Sequence, residues 1–145
     1  MRISAVKIEN FKRVKQAELT LADVTVLIGG NNSGKSSLLQ GIHLAVATLQ
    51  SARSASLPVT KPLSTLGFDQ LIFKPASDPM KLHHRTDMSS ANGPEFTFTY
   101  STDAAPEEPK SFRLSMRRGK NANISVTSNH TDPFYDRAMP HRDQR

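Results

Sequence analysis

Residues Gly29-Gly30-Asn31-Asn32-Ser33-Gly34-Lys35-Ser36 carry Gly29 and Gly34 with four residues between them, then a lysine and a hydroxyl, in the pattern G-x-x-x-x-G-K-S/T. The chemistry this spacing serves is the binding of closely packed phosphates, whose hydration must be replaced by directed donors. Glycine allows the chain to turn tightly and its backbone to approach the phosphate oxygens without a Cβ in the way, which is the role of Gly29 and Gly34. The N–H groups from Asn32 to Ser37 then form an anion nest, reinforced by the positive end of a helix starting there. Lys35 is placed as a point charge for the β- and γ-phosphates, and the Ser36 hydroxyl as a ligand of Mg²⁺. Asn31 and Asn32 serve as turn-formers or tune the loop. The candidate set for a nucleoside triphosphate with Mg²⁺ is therefore Gly29, Asn31, Asn32, Ser33, Gly34, Lys35, Ser36 and Ser37, with Ser36 also the candidate metal ligand.

Such a loop needs a strand to deliver the chain and a helix to carry it away. Val24-Thr25-Val26-Leu27-Ile28 is apolar on both faces apart from one threonine, which predicts a strand covered on both sides. From Ser36 onward Leu38, Leu39, Ile42, Ala45, Val46 and Leu49 recur at three- and four-residue spacing and predict a helix packed on the sheet, ending near Gln50. Gly41 weakens that helix by ~1 kcal/mol relative to alanine. Upstream, 3–9 and 17–21 read as two strands joined by a basic turn within the stretch Asn10-Phe11-Lys12-Arg13-Val14-Lys15-Gln16. Downstream, 51–95 is broken by prolines and reads as an irregular connection with one brief strand. Three antiparallel strands follow at 96–100, 112–116 and 124–126, the last two joined around Gly119-Lys120-Asn121, and 129–145 is a tail without period. The expected organisation is one incomplete α/β domain: 1–50 with strands, phosphate loop and first helix; 51–95 irregular; 96–128 antiparallel strands; 129–145 tail.

Composition narrows the class. With 145 residues, 37% of them hydrophobic and 22% charged, the chain can bury one core, and no apolar run approaches the roughly 18 residues of a membrane helix. The amino terminus runs straight into strand-like sequence and cysteine is absent, which together with a triphosphate site points to the cytoplasm. The formal charge of +6 favours phosphate-bearing partners, nucleotide first and DNA as a second candidate, although no helix carries a basic stripe.

Beyond the general pattern, Ile28-Gly29-Gly30-Asn31-Asn32-Ser33-Gly34-Lys35-Ser36-Ser37-Leu38-Leu39 resembles the Walker A segment of the SMC, RecF and OLD-like branch of ABC-type ATPases within the P-loop NTPases. The opening Asn10-Phe11-Lys12, at the end of the first strand, resembles that branch too, and the two signals cover residues 1 to about 50. The resemblance implies an N-terminal ABC-type lobe with a mixed sheet, an antiparallel section and one main helix after the P-loop. It implies ATP as the nucleotide and makes Phe11, Lys12 and Arg13 further candidate contacts, against the simpler reading of Phe11 as core and the two cations as a solvated face. It also implies a head-to-head ATPase dimer in the complete protein, serving DNA repair or defence against mobile elements.

Other motifs of that branch are not found. No apolar strand ends in Asp-Glu as a Walker B would. Leu63-Ser64-Thr65-Leu66-Gly67 and Leu114-Ser115-Met116 echo a signature segment outside its context; Gln70 suggests a Q-loop glutamine by position only, and Gln144 sits at the very end. The expectation is an ATP-binding lobe that alone binds without hydrolysing and takes the rest of its machinery from a C-terminal lobe or partner chain. Two readings compete. A self-sufficient phosphotransferase or GTPase would need Asp69 or Asp103 near the γ-phosphate, and the base-reading Asn-Lys-x-Asp is absent. A non-catalytic module would use nucleotide only as an assembly signal. His83-His84 with Asp78 and Asp87 reads as a solvated loop rather than a metal site, Glu107-Glu108 as an exposed turn, and Arg117-Arg118-Gly119-Lys120 as a charged hairpin tip.

Overall fold

The computed structural model describes residues 1–135. Five strands form one sheet: β1 Arg2–Phe11, β2 Val14–Thr20, β3 Glu95–Thr102, β4 Ala105–Arg118 and β5 Ile124–Ser128. Their order is β2-β1-β3-β4-β5, and every pairing is antiparallel. Alternation sets the faces. Val6, Ile8, Phe96, Phe98, Phe112, Leu114, Met116, Ile124 and Val126 are buried on one side, whereas Lys7, Glu9, Thr97, Arg113 and Ser115 alternate with them on the other. Opposite pairs such as Val6 with Phe98 and Phe98 with Phe112 lock this register, because a one-residue slip would turn every ring into solvent.

One helix, α1 Lys35–Ser54, covers the apolar face. It runs four residues past the expected end at Gln50, and tertiary contacts explain the extension. The Ser51 hydroxyl donates to Ala47 O (2.7 Å) and accepts from Ile72 N (2.9 Å), Ala52 is buried, and Arg53 grips Asp132. The buried stripe also differs from the one predicted: Gly41, Leu44, Ala45, Thr48 and Ala52 face the core, while Leu39 and Val46 lie on the surface. Small residues win the inner face because the helix sits very close to the sheet. A Cβ on Gly41 would meet Ile8 Cδ1 at 3.1 Å, Phe11 Cδ1 at 3.2 Å and Phe96 Cε1 at 3.3 Å. The residue that costs helix propensity is thus the one that lets α1 dock.

The strand expected at 24–28 is not formed. Residues 24–28 pair with no strand among the described residues, and the sheet is wholly antiparallel rather than mixed. Val24, Val26 and Ile28 are 80%, 72% and 92% exposed. The apolar run is as read from the sequence, but no neighbouring strand or covering layer supplies the burial that such a run serves.

The 51–95 connection forms short 3₁₀ turns at Phe68–Gln70 and Pro79–Leu82, and an isolated bridge joins His83 to Phe11. Its Leu66, Leu71, Met80, Leu82 and Met88 belong to the core, so this irregular chain closes the sheet where one helix cannot reach. Glu107 and Glu108 are exposed as expected but lie inside β4, not in a turn. Pro106 and Pro109 are tolerated there because β5 pairs only with 114–118, leaving that stretch an outer edge. Of the tail, Phe134 packs edge-to-face on Phe98, Tyr100 and Phe112; the calls on 136–145, Gln144 among them, fall outside the described residues.

Candidate nucleotide site

The loop leads into α1 through Gly34, which caps the helix at φ 92°, a left-handed conformation that a side chain would strain. Asn32 is also left-handed at φ 65°, as asparagine tolerates. A closed first turn follows, with Leu38 N donating to Gly34 O at 2.9 Å. No acidic residue occupies the first turn of α1, so its positive end is not neutralised from within the helix.

Lys35 folds back across the loop. Its ammonium donates to Gly29 O, to Gly30 O at 2.8 Å and to Ser33 Oγ at 3.3 Å. These are neutral acceptors, so the charge of Lys35 is held in place but not cancelled. The loop walls a cavity of about 400 Å³ lined by Gly30, Asn31, Asn32, Ser33, Gly34, Lys35, Ser36 and Ser37 together with Arg13. This arrangement brings together seven of the eight loop residues read from the sequence, and Gly29 joins through its carbonyl. Every ionisable lining group is cationic, and the rest are amides, hydroxyls or backbone. That donor set fits a polyphosphate.

The Ser36 hydroxyl, exposed on this wall, would hold Mg²⁺ together with phosphate oxygens and water. When bound, the ion would neutralise charge on the terminal phosphates. Lys35 and the loop amides would orient those phosphates, and Arg13 brings a second positive charge to the cavity. Among the described residues no group of three or more His, Asp or Glu side chains is placed to hold a metal ion.

The basic hairpin turn divides into different roles. Phe11 is fully buried, in edge-to-face contact with Phe96 at 5.5 Å; it is a core residue and not a nucleotide contact. Lys12 sits at φ 48° and donates to Gln40 Oε1 and Pro75 O, both at 2.7 Å, and burial lowers its pKa below the usual lysine value. Arg13 alone reaches the loop cavity.

A second cavity, of about 430 Å³, adjoins the first and shares Arg13 and Ser37 with it. Its far wall is Lys81, His83, Arg85, Thr86 and Asp87, from a segment whose sequence predicts a solvated loop. Backbone pairing fixes its position: Lys12 N donates to Leu82 O (2.9 Å) and His84 N to Asn10 O (3.0 Å), joining 82–84 to the end of β1. Neither a periodic pattern nor a turn motif announces such an isolated bridge.

The remaining candidates lie elsewhere. Asp103 binds the amino terminus at 2.8 Å, and Asp69 is exposed in the 3₁₀ turn whose Gln70 accepts from Gly67 N; neither acid lines the loop cavity. Leu114-Ser115-Met116 is mid-β4, and Leu66 is core. Arg117 is half-buried on Glu95 at 2.6 Å rather than at a free tip. No helix among the described residues is long and apolar enough to cross a membrane.

Comparison with curated proteins finds no match. The family profile described as AAA ATPase domain matches residues 1–132, which takes in the loop, α1, all five strands and the second cavity. The chain belongs to the AAA ATPase domain family, whose membership supports an ATP-binding P-loop function.

Proposed function

We propose that this chain is the nucleotide-binding lobe of an ABC-type ATPase of the SMC, RecF and OLD-like group. It binds Mg-ATP through Lys35, Ser36 and the loop amides, and takes the groups that hydrolyse ATP from a further lobe or partner chain. The observation that carries this reading is the segment leading into the loop. Val24, Val26 and Ile28 form an alternating apolar ridge at 72% exposure or more, directly before a loop whose cavity holds donors and cations alone. A β-branched run of this kind gains stability only when another strand and its layer cover it. A strand set beside it would end next to the phosphates, where an acidic pair could activate water. The paired heads of such an ATPase, closing on ATP, serve DNA repair or defence against mobile elements.

The test is reconstitution. The chain is combined with the carboxyl-terminal lobe of its parent, and phosphate release is measured. Hydrolysis that requires both pieces and Lys35 is the expected result. A correctly assembled head that binds ATP yet never turns it over would count against the proposal, as would steady turnover by the chain alone.

A further inference from the structure

We infer that the shelf formed by Lys81–Asp87 is the subsite for the nucleoside end of the bound nucleotide, with Arg85 and His83 against the base. The inference rests on the reading of Gly29–Ser37 as the phosphate site. A nucleoside triphosphate anchored there must lead its sugar and base into adjoining space, and the second cavity shares Arg13 and Ser37 with the first. The cavities beside Ile3 and Val46, beside Tyr100 and Lys110, and beside Arg53 and Pro58 share no residue with the loop.

The chemistry of the shelf suits a nucleoside next to phosphate. Phe11 is buried, so the hairpin offers no aromatic face there. Besides Arg13 at the junction with the loop cavity, the lining carries the His83 imidazole and the Arg85 guanidinium, flat groups that can both lie on a base. Thr86 Oγ1 lies 2.8 Å from His83 Nδ1 and fixes the ring. The Asp87 carboxylate, held by Lys81 at 2.6 Å, retains free lone pairs for sugar hydroxyls or an exocyclic amine. Arg13, at the junction of the two cavities, falls to the phosphate nearest the sugar.

The shelf is also built rather than draped. His84 Nδ1 contacts Lys12 O at 2.6 Å, and the backbone bonds of Lys12 and His84 to Leu82 and Asn10 stitch it to β1. Lys12 and Arg85, which both line this cavity, take left-handed φ values (48° and 62°) that long side chains ordinarily avoid. Such strain persists only where surrounding contacts impose it.

The experiment titrates the 145-residue chain with Mg-ATP, with Mg-tripolyphosphate and with a single-stranded oligonucleotide. Arg85→Asn removes the guanidinium while tolerating the left-handed backbone. It is expected to weaken Mg-ATP about tenfold and leave tripolyphosphate unchanged, whereas Lys35→Ala removes both. His83→Ala, which keeps the backbone pairing, carries the same expectation should Arg85→Asn not fold. Equal weakening of both ligands, or of neither, would overturn the inference while leaving the phosphate loop intact. Loss of oligonucleotide binding with Mg-ATP unchanged would instead make the shelf a polynucleotide site. A wild-type chain that binds neither Mg-ATP nor tripolyphosphate would remove the loop reading, and the shelf with it.

Discussion

Lys35 and Lys12 are both held by neutral acceptors, yet they do different work. Lys35 lies over an open loop and keeps its charge available for phosphate, whereas Lys12 is clamped between α1 and Pro75 and loses hydration. Because burial lowers the folded-state pKa of Lys12, the protonated side chain costs stability at neutral pH. That cost is relieved as pH rises through the folded value toward the ordinary 10.5. The stability of the wild type relative to Lys12→Met should therefore increase across that alkaline window in urea titrations; a difference that stays flat would contradict the burial argument. Gly41 makes the opposite point about propensity. Gly41→Ala would gain ~1 kcal/mol in an isolated helix. Here the added methyl meets Ile8, Phe11 and Phe96 at 3.1–3.3 Å, and overpacking should destabilise the chain by ~1–3 kcal/mol in denaturant unfolding.

At the scale of elements, the decisive contrast is between apolar runs that find a layer and one that does not. Leu114 is fully buried in β4, and Leu114→Ala should cost ~2–5 kcal/mol. Val26→Thr should change the stability of this chain by less than ~0.5 kcal/mol, since the side chain is 72% exposed. Equal losses at the two sites would mean that 24–28 is covered in solution. This contrast marks where sequence reading succeeds. Two-residue alternation made β3, β4 and β5 legible, and the phosphate loop was legible because its spacing is chemical. The run at 24–28 showed what the segment requires, not whether a neighbour is present to meet it. The shelf at 81–87 and the core residues Leu66, Leu71 and Met88 were illegible for a different reason: each enters the core singly from irregular chain, so no period records its burial.

At the scale of the molecule, one sheet face, one helix and an irregular connection must close a core with few long elements, and single long-range ties matter accordingly. Arg53, on the last turn of α1, donates from Nε (2.8 Å) and Nη2 (2.6 Å) to Oδ2 of Asp132, whose side chain is 9% exposed. Arg53→Met should cost ~1–3 kcal/mol by leaving Oδ2 of that carboxylate without its donors, while Oδ1 keeps the Phe134 N–H, and should lower the thermal midpoint. The surplus of six positive charges adds a long-range field that draws polyanions toward a loop bearing no acid, so nucleotide affinity should fall as salt rises. This field and the Gly29–Ser37 loop together make up the proposed ATP-binding site, whose hydrolytic groups would come from a further lobe or partner chain. The most direct measurement is Mg-ATP binding and phosphate release on one preparation of the chain, with Lys35→Ala beside it. Binding that depends on Lys35, without phosphate release, is the predicted result; steady turnover by the chain alone, abolished in the variant, would contradict it.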